Sequence, residues 1–177
     1  YCLYRFPAAI FPTLRESLHA ARLYGRGELS AKKLKEQLFS FLPCIPDIDS
    51  AVADFWRLNE KRIGDWYLHQ KQSDDLILSA SPRFLLKPIC DRLGVELIAT
   101  EMDKYSGKIS GENCHDHEKV RRFYQRDPNG HTEYFYSVCN TAGSKRIPFC
   151  TDDAGDMSPM LMMIGNIPVI PVRFLVI

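Results

Sequence analysis

Four side chains have types and positions that suggest chemistry. Ser79 follows a short apolar run typical of a buried strand, so its hydroxyl and the next amides could donate hydrogen bonds to an anion. Lys119 stands where a helix is predicted to begin, and its ammonium is a point charge suited to an anionic group. Asp152 and Asp156 could offer carboxylate oxygens to Mg²⁺, or they could form an acidic surface turn.

Residues 115–118, with the sequence His-Asp-His-Glu, suggest a second kind of site. A zinc ion would need further ligands at a recognisable spacing. The remaining histidines, His19, His69 and His131, do not pair with this cluster in sequence. We therefore interpret residues 115–118 as a polar loop and the start of a helix.

Strands and helices are predicted to alternate around Ser79. The run 76–79 predicts a strand, Pro82 suits the first turn of the helix that ends at Gly94, and 95–100 predicts a second strand. A strand, a helix and a strand in succession predict a parallel sheet. We expect residues 132–137 to join the same sheet. Two glycines in the segment 104–111 predict a turn and a short hairpin arm.

The first 70 residues are predicted to be helical. Pro12 is expected to open the first helix, Ser30 to cap the second, and Asp49 to cap the third. Lysines in the second helix, at positions 32, 33 and 35, indicate a solvated face. The apolar positions of the first helix, expected to face the core, are Leu14, Leu18, Ala21 and Leu23.

Composition limits the class of protein. The 177 residues are 45% apolar and 25% charged, with a net charge of +1, which is ordinary for a globular protein of one domain, or of one domain with a small insert. This charge points to neither nucleic acid nor membrane as a partner. Six cysteines form no C-x-x-C pair, and no apolar run is long enough to span a bilayer. We expect reduced thiols and a cytoplasmic location.

The middle of the chain resembles a known protein family. The strand ending at Ser79, the helix opened by Pro82, the Gly-Lys-Ile-Ser-Gly arm at 107–111 and Lys119 at a helix start are similar to haloacid dehalogenase superfamily phosphatases. The order resembles the phosphoserine-phosphatase-like group, over residues 1–137 and most specifically over 74–124.

The resemblance implies a fold and a set of roles. The fold would be α/β, with a doubly wound, mainly parallel sheet in residues 71–177 and a helical cap in residues 1–70. Ser79 would bind the phosphate of a small phosphorylated substrate, and Lys119 would be catalytic. Asp152 and Asp156 are the available candidates for Mg²⁺. Trp56, Trp66 and Tyr67 would either select the substrate or pack in the core.

The nucleophile motif of this family, D-x-D-G-T, is not among the 177 residues. Asp47 and Asp49 have the D-x-D spacing, but they follow Pro46 in a loop with no apolar strand before it, so we reject them as the nucleophile. The motif is expected just upstream of Tyr1. The predicted function is therefore a phosphatase-type hydrolase acting through a phospho-aspartyl intermediate, inactive in this form. The alternative is a non-catalytic fragment or a helical interaction module.

The last 40 residues depart from the family pattern. The predicted strand ends at Ser137, and residues 138–142 contain no acid where the family places its metal ligands. Either an insert separates the strand from Asp152 and Asp156, or the reading frame changes after Ser137 and the tail is unrelated to the fold. Both explanations stay open from the sequence.

Overall fold

The computed structural model describes residues 1–63, 65–115 and 117–128, without the side chains of 66 and 70, and the backbone of 134–136 and 148–150. The chain forms two compact units, Tyr1–Leu58 with Thr100–Asn113, and Asn59–Ala99 with Cys114–Ile177. The segment 100–113, which the sequence assigned to the core, thus groups with the amino-terminal helices. The predicted domain boundary near residue 70 stays a prediction.

The first unit is built mainly from helices. They are α1 (Cys2–Arg5), α2 (Pro7–Gly25), α3 (Ala31–Leu38) and α4 (Ile48–Asn59), with a 3₁₀ turn at Leu42–Cys44. α2 packs against both α1 and α3. The Ser30 hydroxyl accepts a hydrogen bond of 3.3 Å from the Lys33 amide, which confirms the predicted cap of α3. Trp56 of α4 is fully buried in the core of this unit.

Helix α2 differs from its prediction in both start and orientation. It begins at Pro7, which needs no amide hydrogen in the first turn, and continues through Pro12. Its buried residues are Ala9, Ile10, Ser17 and Ala20. Leu18 and Ala21, predicted to face the core, are exposed, so the prediction is wrong for both.

The predicted hairpin arm is confirmed. Met102 and Ile109 form an antiparallel bridge, and the Asp103 amide donates a hydrogen bond of 2.8 Å to the Lys108 carbonyl. Gly107 has φ of +70°, a left-handed conformation that favours glycine. The turn therefore depends on the glycine that the sequence singled out.

One face of α3 holds the arm. The Glu36 carboxylate accepts a hydrogen bond of 2.9 Å from the Ile109 amide. Lys32 donates to a carbonyl of the arm, and Lys35 donates to the side chain of Asn113. These two lysines thus have partners in the arm and are half-buried, whereas Lys33 is exposed as predicted.

The second unit contains the α/β part of the fold. It comprises α5 (Asp65–Gln70), β1 (Leu76–Pro82), α6 (Arg83–Leu93), β2 (Glu96–Thr100, whose last residue belongs to the first unit) and α7 (His117–Arg126). β1 and β2 pair in a small parallel sheet, joined through α6, which confirms the predicted α/β class. Gly94, with φ of +68°, ends α6 as predicted.

The third predicted strand lies elsewhere. β3 (Tyr134–Tyr136) pairs antiparallel with β4 (Pro148–Cys150), with Phe135 opposite Phe149, and this pair is a sheet separate from β1 and β2. The prediction that residues 132–137 join the parallel sheet is therefore wrong. A strand often pairs with the next strand along the chain, and β4 was not recognised in the sequence.

Within the described residues, no helix is both long and apolar enough to cross a bilayer. Cys2, Cys44, Cys90 and Cys114 are free thiols. Burial raises the pKa of the Cys90 thiol to about 11, so this cysteine stays protonated at neutral pH.

Candidate functional site

Ser79 lies within β1, which continues to Pro82. Its side chain is half-buried, and the hydroxyl oxygen accepts a hydrogen bond of 3.0 Å from the Ser81 amide. A hydroxyl can accept and donate at once, so the Ser79 proton can still be given to an anion. Pro82, predicted to lie in the first turn of α6, is instead the residue before the helix, and no side chain caps α6.

The register of the two parallel strands places Ser79 along the sheet. The Glu96 amide donates a hydrogen bond of 3.0 Å to the Asp75 carbonyl. Beyond this hydrogen bond, each further residue of β1 lies beside the next residue of β2, because the strands are parallel. Ser79 therefore lies level with the end of β2, near Ala99. This is the carboxyl edge, where ligands of open α/β sheets bind.

Helix α7 runs antiparallel to β2. Near its middle, Arg122 donates a hydrogen bond of 2.8 Å to the Ala99 carbonyl, and at its end Arg126 binds the Glu96 carboxylate at 3.0 Å. Moving back along the helix thus corresponds to moving forward along the strand. The amino-terminal turn of α7 therefore lies toward the carboxyl end of β2. The helix also contacts β1, which carries Ser79.

Lys119 is in this first part of α7 and is 2% exposed. Phe123, one turn further on, is buried on the same face, whereas Arg121 is exposed. Lys119 is therefore not part of a solvated helix face. The fold carries Ser79 and Lys119 to the same end of the sheet. We predict that their side-chain tips lie about 4–8 Å apart, so that both can bind the same phosphate group.

Glu118 organises the cations beside Lys119. Its carboxylate contacts Arg121 at 2.6 Å and Arg122 at 2.7 Å. Hydrogen bonds from Arg121, and then from Arg122, lower the pKa of Glu118 to about 2. This role of Glu118 was not predicted, although its spacings of three and four residues from the two arginines on a helix indicate it.

No group of three or more histidine, cysteine or acidic side chains in the described part of the chain could hold a metal ion. Asp152 and Asp156, predicted to bind Mg²⁺, lie outside the described residues, as does Asp116. Their carboxylates are oxygen donors of the kind Mg²⁺ prefers, so the donor chemistry fits the ion.

The two acids with D-x-D spacing have structural roles. Asp47 accepts a hydrogen bond of 3.0 Å from the Ser50 amide at the start of α4, and this bond lowers the pKa of its carboxyl. Asp49, which was predicted to cap this helix, lies within α4 and binds the Lys104 ammonium at 2.7 Å, so that prediction is wrong and Asp47 provides the cap. Both contacts agree with excluding this pair as a nucleophile motif.

The aromatic candidates for substrate selection are buried. Trp56 is fully buried within the first unit, and Tyr67 is buried within the second. Both side chains therefore pack in the core. The side chain of Trp66 lies outside the described residues.

Comparison with known proteins identifies the family. Residues 1–157 match the model of haloacid dehalogenase-like hydrolases. This chain belongs to that family. Haloacid dehalogenase-like proteins are hydrolases, often phosphatases, and commonly use Mg²⁺.

A solved structure is also similar. It is a protein of unknown function from Bordetella pertussis Tohama I, with 25% sequence identity and a TM-score of 0.52. The match covers 70% of this chain and 63% of that one, so the chain spans less than two thirds of the protein it resembles. No curated protein matches the sequence.

Proposed function

We propose that this haloacid dehalogenase-like chain carries the phosphate-binding part of a phosphatase for small phosphomonoesters, of the phosphoserine-phosphatase-like group. The observation that carries the proposal is the burial of Lys119 on a helix that contacts β1. A buried ammonium group attracts an anion more strongly than an exposed one does, because the surroundings have a low dielectric constant. A phosphoryl group at the carboxyl edge of the sheet is such an anion.

The two residues have different tasks in this proposal. The Ser79 hydroxyl donates a hydrogen bond to a phosphate oxygen, and the Lys119 ammonium neutralises its negative charge. In the reaction, an aspartate carboxylate attacks phosphorus, the alcohol leaves, and water then cleaves the phospho-aspartyl group. The D-x-D-G-T sequence that supplies this aspartate is not among the 177 residues. For this chain alone, the proposal is phosphate binding without turnover.

Asp152 and Asp156 are proposed as Mg²⁺ ligands. The family match includes both residues. When bound, the ion would neutralise charge on the phosphoryl group. A calorimetric titration with Mg²⁺ should show binding that is lost in the double variant Asp152→Asn/Asp156→Asn. Binding that this variant retains would place the metal site elsewhere.

Titration of the chain with inorganic phosphate, followed by ³¹P NMR, tests the phosphate site. Lys119→Met keeps the apolar stem of the side chain and removes the charge, so affinity should fall at least about tenfold, because hydrogen bonds to charged groups contribute roughly 1.5–3 kcal/mol. Arg121→Gln, on the same helix but exposed, is the matched control and should change affinity by less than about twofold. Equal losses in the two variants would contradict a specific site at Lys119.

The absent nucleophile motif favours one rival, a non-catalytic module. This rival predicts no saturable phosphate binding at Lys119. The same phosphate titration therefore distinguishes the two functions. Only the phosphatase-derived site requires Lys119→Met to lower the phosphate affinity more than Arg121→Gln does.

A further inference from the structure

The outer face of α1 and α2 is unusually apolar for an exposed surface. Tyr4 is 92% exposed, Phe11 63% and Leu18 64%. These residues recur every seven positions, which is close to two helical turns, so within α2 Phe11 and Leu18 share one side. The buried residues of α2 lie on the opposite side. Phe11 and Leu18 therefore form an apolar stripe on the outward side of α2, preceded in sequence by exposed Tyr4. Several exposed side chains of this size need an explanation that a single one would not.

Arginines accompany this stripe. Arg15 and Arg22 are one turn beyond Phe11 and Leu18 on the same side of α2. Residues 1–27 contain four arginines, and Glu16 is the single acid among them. Glu16 accepts a hydrogen bond of 3.2 Å from Gln37 of the neighbouring helix. The outer surface of α1 and α2 is thus both apolar and cationic, although the whole chain has a net charge of only +1.

A cavity beside α2 extends the cationic surface. Its volume is about 820 Å³, and it is lined by Arg15 and His19 of α2, by Lys33 of α3 and by Lys108 of the arm. One of its acids, Glu36, is already engaged with the Ile109 amide. Its apolar walls include Ala20, Leu23 and Leu29.

We propose that this apolar and cationic face of α1 and α2 binds the surface of an anionic lipid bilayer. Charge complementarity decides between occupants. In a protein groove, Arg15 and Arg22 would need acidic partners once desolvated. At a bilayer, their stems lie along the acyl boundary while the guanidinium groups reach the phosphate headgroups. Tyr4 and Phe11 are of the aromatic type that inserts at this depth.

Binding of this kind needs no spanning helix. A helix lying in the interface requires only an apolar side about 5–10 Å deep and a cationic surface for anionic headgroups. The low net charge of the chain and its lack of a long apolar run, on which the expectation of no membrane partner was based, therefore do not argue against it.

Co-sedimentation of the 177-residue chain with lipid vesicles tests the proposal. Vesicles of phosphatidylglycerol and phosphatidylcholine should bind the chain, whereas pure phosphatidylcholine vesicles should bind it at least about tenfold more weakly. The double variant Phe11→Ser/Leu18→Ser and the double variant Arg15→Gln/Arg22→Gln should each lose about tenfold or more in partition. Tyr105→Ser, which changes a similarly exposed aromatic residue on the arm, should bind as the unaltered chain does.

Three results would overturn the proposal. The first is equal binding to the two kinds of vesicle. The second is retention of binding by the Phe11→Ser/Leu18→Ser variant, with folding verified by circular dichroism. The third is concentration-dependent self-association without lipid that this variant abolishes, since the stripe would then bind a second copy of the chain.

Discussion

Lys119 and Phe123 lie one helical turn apart on the same face of α7, and both are buried. The helix thus places an ammonium group where it would ordinarily place an apolar side chain. Exposed Arg121 instead pairs with Glu118, whose side chain is largely buried. The helix therefore carries its surface ion pair apart from the buried ammonium group of Lys119.

A double-mutant cycle tests whether Ser79 and Lys119 meet at one phosphate. Ser79→Ala should weaken phosphate binding by about 1 kcal/mol, the value of a typical hydrogen bond. Combined with Lys119→Met, its effect should be much smaller, because two residues that share a ligand are not independent. Additive losses, measured by the same NMR titration, would indicate that the two side chains do not share a site.

The 177-residue chain should show no phosphatase turnover. With a generic phosphomonoester and Mg²⁺, Ser79 and Lys119 can stabilise charge, but no positioned carboxylate is present to attack phosphorus. Release of product should match the uncatalysed rate. Turnover that purifies with the chain and disappears in Ser79→Ala would show that another residue of the chain is the nucleophile.

Glu118 should contribute stability that depends on pH. Its pKa is about 2 in the folded chain, well below the ordinary value of 4.5, because Arg121 and Arg122 bind the ionised form. The contribution is therefore complete above pH 4.5 and is lost as the pH falls from there toward 2. Glu118→Gln should lower the free energy of unfolding by about 1–2 kcal/mol at pH 7, with a smaller difference at pH 3.5. Urea unfolding at the two pH values measures this, and a constant difference would exclude the ion pair as its cause.

Gly107 and Gly111 form a matched pair of turn residues. Both have positive φ, +70° and +75°. A Cβ atom at Gly107 would lie 2.6 Å from the Phe39 carbonyl oxygen, whereas one at Gly111 would meet nothing within 4 Å. Gly111→Ala should cost about 1 kcal/mol of stability from backbone strain alone. Gly107→Ala should cost roughly 3 kcal/mol or more, because backbone must also move. Equal melting temperatures for the two variants would show that the arm can shift away from Phe39.

The sequence predicted the features that depend on local signals. Ser30 caps α3, Gly94 ends α6, and two glycines bound the hairpin arm, because each residue type has a conformational preference that acts on its immediate neighbours. The alternation of apolar strands with a helix likewise predicted the parallel pairing of β1 and β2.

Features that depend on distant contacts could not be predicted. Leu18 fits a core-facing stripe by its spacing. However, the sequence of α2 does not show which of its sides the adjacent helices α1 and α3 cover. Likewise, β3 pairs with a strand whose pattern includes a proline. Spacing within α7 places Lys119 one turn before Phe123, but it does not predict that an ammonium group is buried there. The family resemblance implied a catalytic role for Lys119, not its burial.

The attachment of the arm to α3 has a consequence for how the chain folds. The bond between Glu36 and the Ile109 amide joins residues 73 positions apart, and the first unit is interrupted in sequence by residues 59–99. During synthesis, α3 therefore emerges long before its partner. The amino-terminal helices therefore cannot complete their packing until the intervening βαβ segment and the arm have been synthesised. Closing so long a loop also slows folding. A ribosome-bound chain that ends before Thr100 should consequently have these helices without their final packing and be cut readily by proteases, whereas extension past Asn113 should protect them.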